Sequence, residues 1–263
     1  MAAANGNWAI ILGGSRGLGL ATARKLAKAG FSIFIVHRDR RADMEEVELA
    51  FESIRSPGVR LESRNVDALK TAVRQEIVSE LKAITIAEGG SIGVLVHSIA
   101  KGSLKPMIDP GDQGLNQQDF MITLDAMAVS LYDWTKEVFD AGLASKDMRI
   151  ISFTSEGNQK AIPNYAAVSA AKAALEAITR NIALEFAPLG VKANCIQAGV
   201  TDTWSFNQIP GSEMIRKSAL RRNPNKRLTT PEDIANVAYL LCLPEAAWIT
   251  GTVIKADGGE SLL

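Results

Sequence analysis

Three glycines spaced four and then two residues apart, in Gly13-Gly14-Ser15-Arg16-Gly17-Leu18-Gly19, join a short apolar run to an amphipathic one. The run before them, Trp8–Leu12, reads as a strand. The run after them, Gly17–Ala29, reads as a helix ending at Gly30. A turn with so few side chains lets its backbone close on a pyrophosphate, and the helix N-terminus adds unpaired amides and a partial positive charge. A glycine-rich hexamer alone is weak evidence, and its place between a strand and a helix gives it weight.

The alternation continues along the chain. Strand-like runs at Phe31–Val36, Val59–Val66, Ile92–His97, Arg149–Thr154, Val191–Gln197 and Thr252–Lys255 alternate with helical patterns. The helices fall near Arg41–Ile54, Ala68–Ala87, Gln117–Ala141, an Ala-rich run to Phe186, and Pro231–Leu241. Such βαβ alternation predicts an α/β fold, a doubly wound parallel sheet of about seven strands with helices on both faces. No linker or composition break divides residues 1–263, so a single domain is expected. Ser98–Asn116 and Gly199–Thr230 show no regular pattern, and each follows a strand end, where open α/β sheets bind ligands.

Lys and Arg number 29 and Asp and Glu 29, which argues against a global attraction to nucleic acid or a membrane surface. No run of eighteen apolar residues indicates a membrane span, and Met1–Leu12 lacks a signal-peptide pattern, so a cytoplasmic location is expected. Cys195 and Cys242 stand in apolar contexts and read as buried free thiols. The only histidines are His37 and His97, and nothing has metal-ligand spacing.

In the glycine turn, Gly13, Ser15, Arg16, Gly17, Leu18 and Gly19 form the expected phosphate cradle. The second strand ends in His37-Arg38, where an acidic residue would hold the ribose 2′-hydroxyl of NAD. Arg16 and Arg38 suit a 2′-phosphate instead, each charge-assisted contact contributing about 1.5–3 kcal/mol. NADPH is therefore expected over NADH; the alternative is that Arg38-Asp39-Arg40-Arg41 is a solvated loop in which Asp39 accepts a ribose hydroxyl. Asn65 and Val66, at the end of the third strand, stand where an adenine edge would be read.

Farther along, Tyr165 and Lys172 have six residues between them in an Ala-rich run that reads as helical. Seven steps of 100° fall about 20° short of two turns, so both side chains share a face roughly 10 Å apart along the axis. A phenol paired with an ammonium is an acid beside a group that can hold a ribose and lower the phenol's pKa.

Taken together these residues resemble the short-chain dehydrogenase/reductase family, whose fold is of the Rossmann type, over essentially the whole chain. Most members put the lysine four positions after the tyrosine, where this chain has Ser169. The wider Tyr-x6-Lys spacing is similar to the family's divergent branch, the enoyl-acyl-carrier-protein reductases of bacterial fatty acid synthesis. His97-Ser98-Ile99-Ala100, Ala161–Tyr165 and Ala198-Gly199 leading to Thr203 look like that branch as well. The resemblance implies Tyr165, Lys172 and Ser155 as catalytic, and Ser98, Ile99, Ala100, Gly199, Thr201 and Thr203 at the cofactor beside Lys172. Ordinary members carry an asparagine where Met127 aligns and a serine after the fifth strand. Ser152 has the usual spacing to the tyrosine, but Ser155 stands at the strand end. Many enoyl reductases have a second tyrosine at Ser155, so this chain looks like a serine-bearing, NADPH-using relative.

The spacing suits a carbon–carbon double bond. In a 2-enoyl thioester, hydride adds at C3 while charge develops on the thioester oxygen, two carbons away, so the phenol must stand off from the nicotinamide. In Thr201–Thr230, apolar Trp204, Phe206, Ile209 and Met214 suit a lid over an acyl chain. Arg216, Lys217, Arg221, Arg222, Lys226 and Arg227 suit an acidic acyl carrier protein, or else form a solvated face with structural ion pairs. An enoyl thioester on carrier protein or CoA is the expected substrate, and the family resemblance suggests a homotetramer. The alternatives are an NADPH-dependent ketone reductase using Ser155 and Tyr165, and a non-catalytic NADP-binding regulator.

Overall fold

The computed structural model describes residues 7–55, 58–111 and 113–263; the first six, part of the segment read for a leader, lie outside them. Seven strands, β1 (Asn7–Leu12), β2 (Ser32–His37), β3 (Leu61–Asn65), β4 (Ser91–His97), β5 (Ala144–Ser155), β6 (Lys192–Ala198) and β7 (Val253–Ala256), form one parallel sheet in the order β3-β2-β1-β4-β5-β6-β7. The order reverses between β1 and β4, where Leu12 pairs with His97 and a crevice opens at the strand ends.

The helices are α1 (Gly17–Lys28), α2 (Met44–Glu52), α3 (Thr71–Glu88), α4 (Gln117–Leu124), α5 (Ser130–Asp140), α6 (Ala166–Glu185), α7 (Trp204–Asn207), α8 (Ser212–Arg222) and α9 (Pro231–Leu241). Alternate strand residues face two cores. Ile10, Leu12, Leu95 and Ile150 meet the α3, α5 and α6 side, while Ile11, Ile35, Val96 and Ile196 meet α1, α2 and α9. Burial on both faces explains why these strands read as continuous apolar runs.

Three expectations change. The single helix expected over Gln117–Ala141 contains a π turn, Asp125–Val129, joining α4 to α5. That wider turn carries buried Met127 at the pocket. Gly199–Thr230 is not irregular throughout: it contains α7, capped by the Thr203 hydroxyl accepting from the Phe206 amide, and α8. Cys242 is a free thiol that is half-buried, not buried, whereas Cys195 is a buried free thiol as expected, 3.0 Å from Ser152 Oγ and 3.3 Å from Thr179 Oγ1. No helix among the described residues is long and apolar enough to cross a membrane.

Candidate active site

A cavity of about 850 Å³ runs from the glycine turn to the start of α6. Gly13, Ser15, Arg16, Gly17 and Leu18 line one end, and Tyr165, Lys172 and Ser155 the other. Between them lie Arg38 and Val66, then Ser98, Ile99 and Ala100; Gly199, Thr201 and Thr203 close the far wall.

Two expected residues do not line it. Gly19 packs α1 onto the turn, where an added Cβ would overlap the Gly13 carbonyl. Asn65 turns away to brace the β2–α2 loop, accepting from the Asp39 amide at 2.9 Å and donating to the Asp39 carbonyl at 3.1 Å. The pocket position falls instead to Asp67, two residues on, which also accepts from Arg38 at 3.1 Å.

The cradle fits a dinucleotide. Gly13 has φ +84°, and a Cβ there would sit 2.6 Å from the Ser98 carbonyl oxygen. Gly17 has φ +55° beneath Thr203. Arg16 lies 3.5 Å from carboxylate oxygens of Asp39, Asp43 and Glu46, yet its buried Nε and Nη2 lack a hydrogen-bond acceptor. That guanidinium is suited to a phosphate, although Asp39, held by His37 Nδ1 at 2.8 Å, opposes one nearby. Thr201 and Thr203 are already engaged: Thr201 donates to the Gly199 carbonyl at 2.9 Å, and Thr203 accepts as the α7 cap.

Tyr165 is the N-cap of α6, not a helical residue, with φ −117° and ψ 3° after Asn164 at φ +62°. The shared-face argument therefore holds only loosely, because the last step to the tyrosine leaves the helix. Its hydroxyl is 3.4 Å from Ser155 Oγ at the end of β5. Gly157 leaves room for the ring, since a Cβ there would stand 2.7 Å from Tyr165 Cε1. Ser169, in the ordinary lysine position, donates to the Gly157 carbonyl and holds that turn. Lys172 is buried and donates to the Phe153 carbonyl at 2.6 Å.

The charge states follow from burial. Desolvation brings Lys172 down to about 8, against opposing contributions from Cys195 and Glu176. Burial pushes the Tyr165 phenol above its ordinary value, with the Ser155 hydrogen bond acting the other way. Lysine does not lower the phenol here, contrary to expectation: Lys172 is spent on the Phe153 carbonyl of β5. The phenol stays protonated at neutral pH and is a hydrogen-bond donor. His97 falls to about 3, first from burial and then from Lys172, so it is a neutral ring, with Nε2 2.7 Å from Ser130 Oγ.

Half of the basic residues of Thr201–Thr230 are paired with carboxylates. Arg216 binds Asp202, Arg227 binds Asp233, and Arg222 lies 3.0 Å from both Glu156 Oε2 and Glu260 Oε1. Lys217, Arg221 and Lys226 have no carboxylate partner among the described residues, Lys226 donating instead to the Arg221 carbonyl at 3.1 Å. Arg222 thus ties α8 to the turn after Ser155 and to the chain end. Removing it leaves buried Glu260 unpaired. Arg222→Ala should lower thermal stability by several degrees and speed proteolysis within 201–230, measured without ligand.

Sequence reasoning passed over Glu176, buried one turn after Lys172. It accepts from Thr154 Oγ1 at 2.7 Å and from Asn158 Nδ2. A carboxylate four residues after a lysine, amid alanines, was the available signal.

The sequence profile described as Enoyl-(Acyl carrier protein) reductase matches residues 13–261. The chain belongs to this family, a divergent branch of the short-chain dehydrogenases/reductases. It is similar to the enoyl-[acyl-carrier-protein] reductase [NADH] of Aquifex aeolicus, 30% identical over 72% of this chain and 69% of that one. A crystal structure titled as that enzyme gives a TM-score of 0.82 at 25% identity, covering 98% of each chain. A tropinone reductase homolog of Arabidopsis thaliana is 24% identical over 97% of this chain and 92% of its own. The reductase family thus joins members named for different substrates, and the chain is an oxidoreductase within it.

Proposed function

We propose that this protein reduces the C2–C3 double bond of a trans-2-enoyl thioester, carried by acyl carrier protein or CoA, with NADPH, in fatty acid synthesis in the cytoplasm. The observation that carries this reading is the register at α6. Tyr165 stands at the helix start beside Ser155, Lys172 lies seven positions on, and Ser169 fills the place where most family members have lysine. The adjoining wall is apolar, with Leu104, Met127, Ile162, Val168, Phe206 and Ile209, as an acyl chain requires.

When bound, NADPH supplies the hydride. Tyr165, protonated and buried, donates to the thioester oxygen as negative charge develops on it, and Ser155 orients the phenol. Lys172 holds the ribose hydroxyls with its remaining N–H groups. Arg16 and Arg38 meet the 2′-phosphate. Arg38→Ala should weaken NADPH binding about ten-fold or more and spare NADH, read by titrating each dinucleotide. Equal losses for both would remove the 2′-phosphate assignment.

Exposed Met121, Val129 and Tyr132 along α4–α5 and Leu184 on α6 supply contact faces for a homotetramer, to be checked by sedimentation equilibrium. The Ser155–Tyr165 contact also favours a second reading, ketone reduction. Crotonyl-CoA and a ketone panel, supplied separately with NADPH, distinguish the two. Enoyl turnover abolished by Lys172→Ala supports the first, and ketone turnover alone supports the second.

A further inference from the structure

Glu176 is a buried carboxylate with no part in the reaction just described. It lies on α6 one turn beyond Lys172, and i to i+4 side chains share a helix face. Its Oε1 accepts from Thr154 and Asn158, which flank Ser155 and Glu156 at the end of β5 and in the turn that follows. Those bonds fasten the segment bearing Ser155 to the helix bearing Tyr165 and Lys172.

We propose that Glu176 is a positioning residue of this site, fixing the strand end that carries Ser155 and supplying the negative charge that accompanies the buried Lys172 ammonium. The proposal rests on the reading of Tyr165 and Lys172 as the reacting pair. Few groups compete for the second role. Around Lys172 stand His97 on β4, Cys195 on β6 and Glu176 on α6, with Tyr165 at the cap that precedes the helix. His97 is neutral, and burial holds the Cys195 thiol protonated at neutral pH. Glu156, in the turn packed on α6, is engaged by Lys160 and Arg222, and Asp119 of α4 by Lys105. Glu176 makes its two bonds to uncharged partners, so its charge remains to act on the ammonium.

The sign is fixed. Desolvation pulls Lys172 down, and Cys195 and then Glu176 oppose it; with the Cys195 thiol protonated, Glu176 is the carboxylate among them. The ammonium persists below its pKa and is lost as pH rises through it. Glu176→Gln keeps an oxygen for Thr154 and Asn158 and deletes only the charge. Lys172 should then titrate about one pH unit lower, as for loss of a nearby opposite charge.

The experiment is ¹³C NMR of ε-labelled lysine in the dinucleotide-free protein, with the Lys172 signal identified by its loss in Lys172→Met. The expected result is a titration lowered by about a unit in Glu176→Gln, with the alkaline limb of turnover moving by the same amount. An unmoved titration overturns the proposal. Thr154→Val, which keeps the charge and removes one bond, should leave the titration in place and lower kcat several-fold. It also serves if Glu176→Gln fails to fold, and a titration displaced in Thr154→Val, or an unchanged kcat, overturns the positioning role. If wild type reduces no enoyl thioester yet the titration moves as expected, the substrate reading falls and the charge role of Glu176 stands.

Discussion

Tyr165→Phe is expected to lower enoyl-thioester turnover by about 10²–10³-fold in kcat while leaving dinucleotide binding nearly intact, the size of effect seen when one donor to a developing oxyanion is deleted. The argument is geometric. The phenol hydroxyl lies in a cavity otherwise walled by aliphatic side chains on that side, and its neighbour within hydrogen-bond range is Ser155 at 3.4 Å. Burial keeps it protonated, so it enters the reaction as a donor and needs no lysine to make it one. Ser155→Ala removes a longer, neutral contact and should cost only roughly 2–12-fold, from ~0.5–1.5 kcal/mol. Single-turnover kinetics on both variants check the order. A larger loss in Ser155→Ala would move the proton donor away from the phenol.

That ordering also shows how far residues alone could go. Strand and helix identity was legible because both sheet faces are covered, which writes each strand as an unbroken apolar run between helical periods. The glycine turn was legible because its function is carried by missing side chains. Less legible were features that depend on where a side chain is spent. Asn65 and Arg222 have the chemistry to meet a ligand, yet one braces a loop and the other joins three segments distant in sequence. Helices α7 and α8 were hidden because the first is a single turn and the second is mostly polar, so neither presents a strong apolar stripe. Tyr165 read as helical because alanines follow it, while the left-handed Asn164 just before it ends that regularity.

The same distinction makes Gly13→Ala a damaging small change in the site. Its expected cost is about 3 kcal/mol or more, a fall of roughly 5–12 °C in Tm, without any ligand present. Part of this is the left-handed backbone at φ +84°, which costs an alanine about 1–2 kcal/mol. The rest is an overlap that cannot relax through a flexible side chain: the new Cβ would stand 2.6 Å from the Ser98 carbonyl oxygen and 2.9 Å from its carbon. Ser98 follows β4 at the point where the strand order reverses, so relief means pushing Ser98–Ala100 out of the cavity wall. Gly30→Ala isolates the first contribution. Gly30 has φ +94° but nothing within 4 Å of an added Cβ, so that variant should lose only the backbone penalty and bind dinucleotide normally. Thermal denaturation and dinucleotide titration of the two variants therefore separate strain from collision. Equal losses in both would show that Gly13 serves the turn's conformation alone, with the close approach of β1 and β4 contributing nothing.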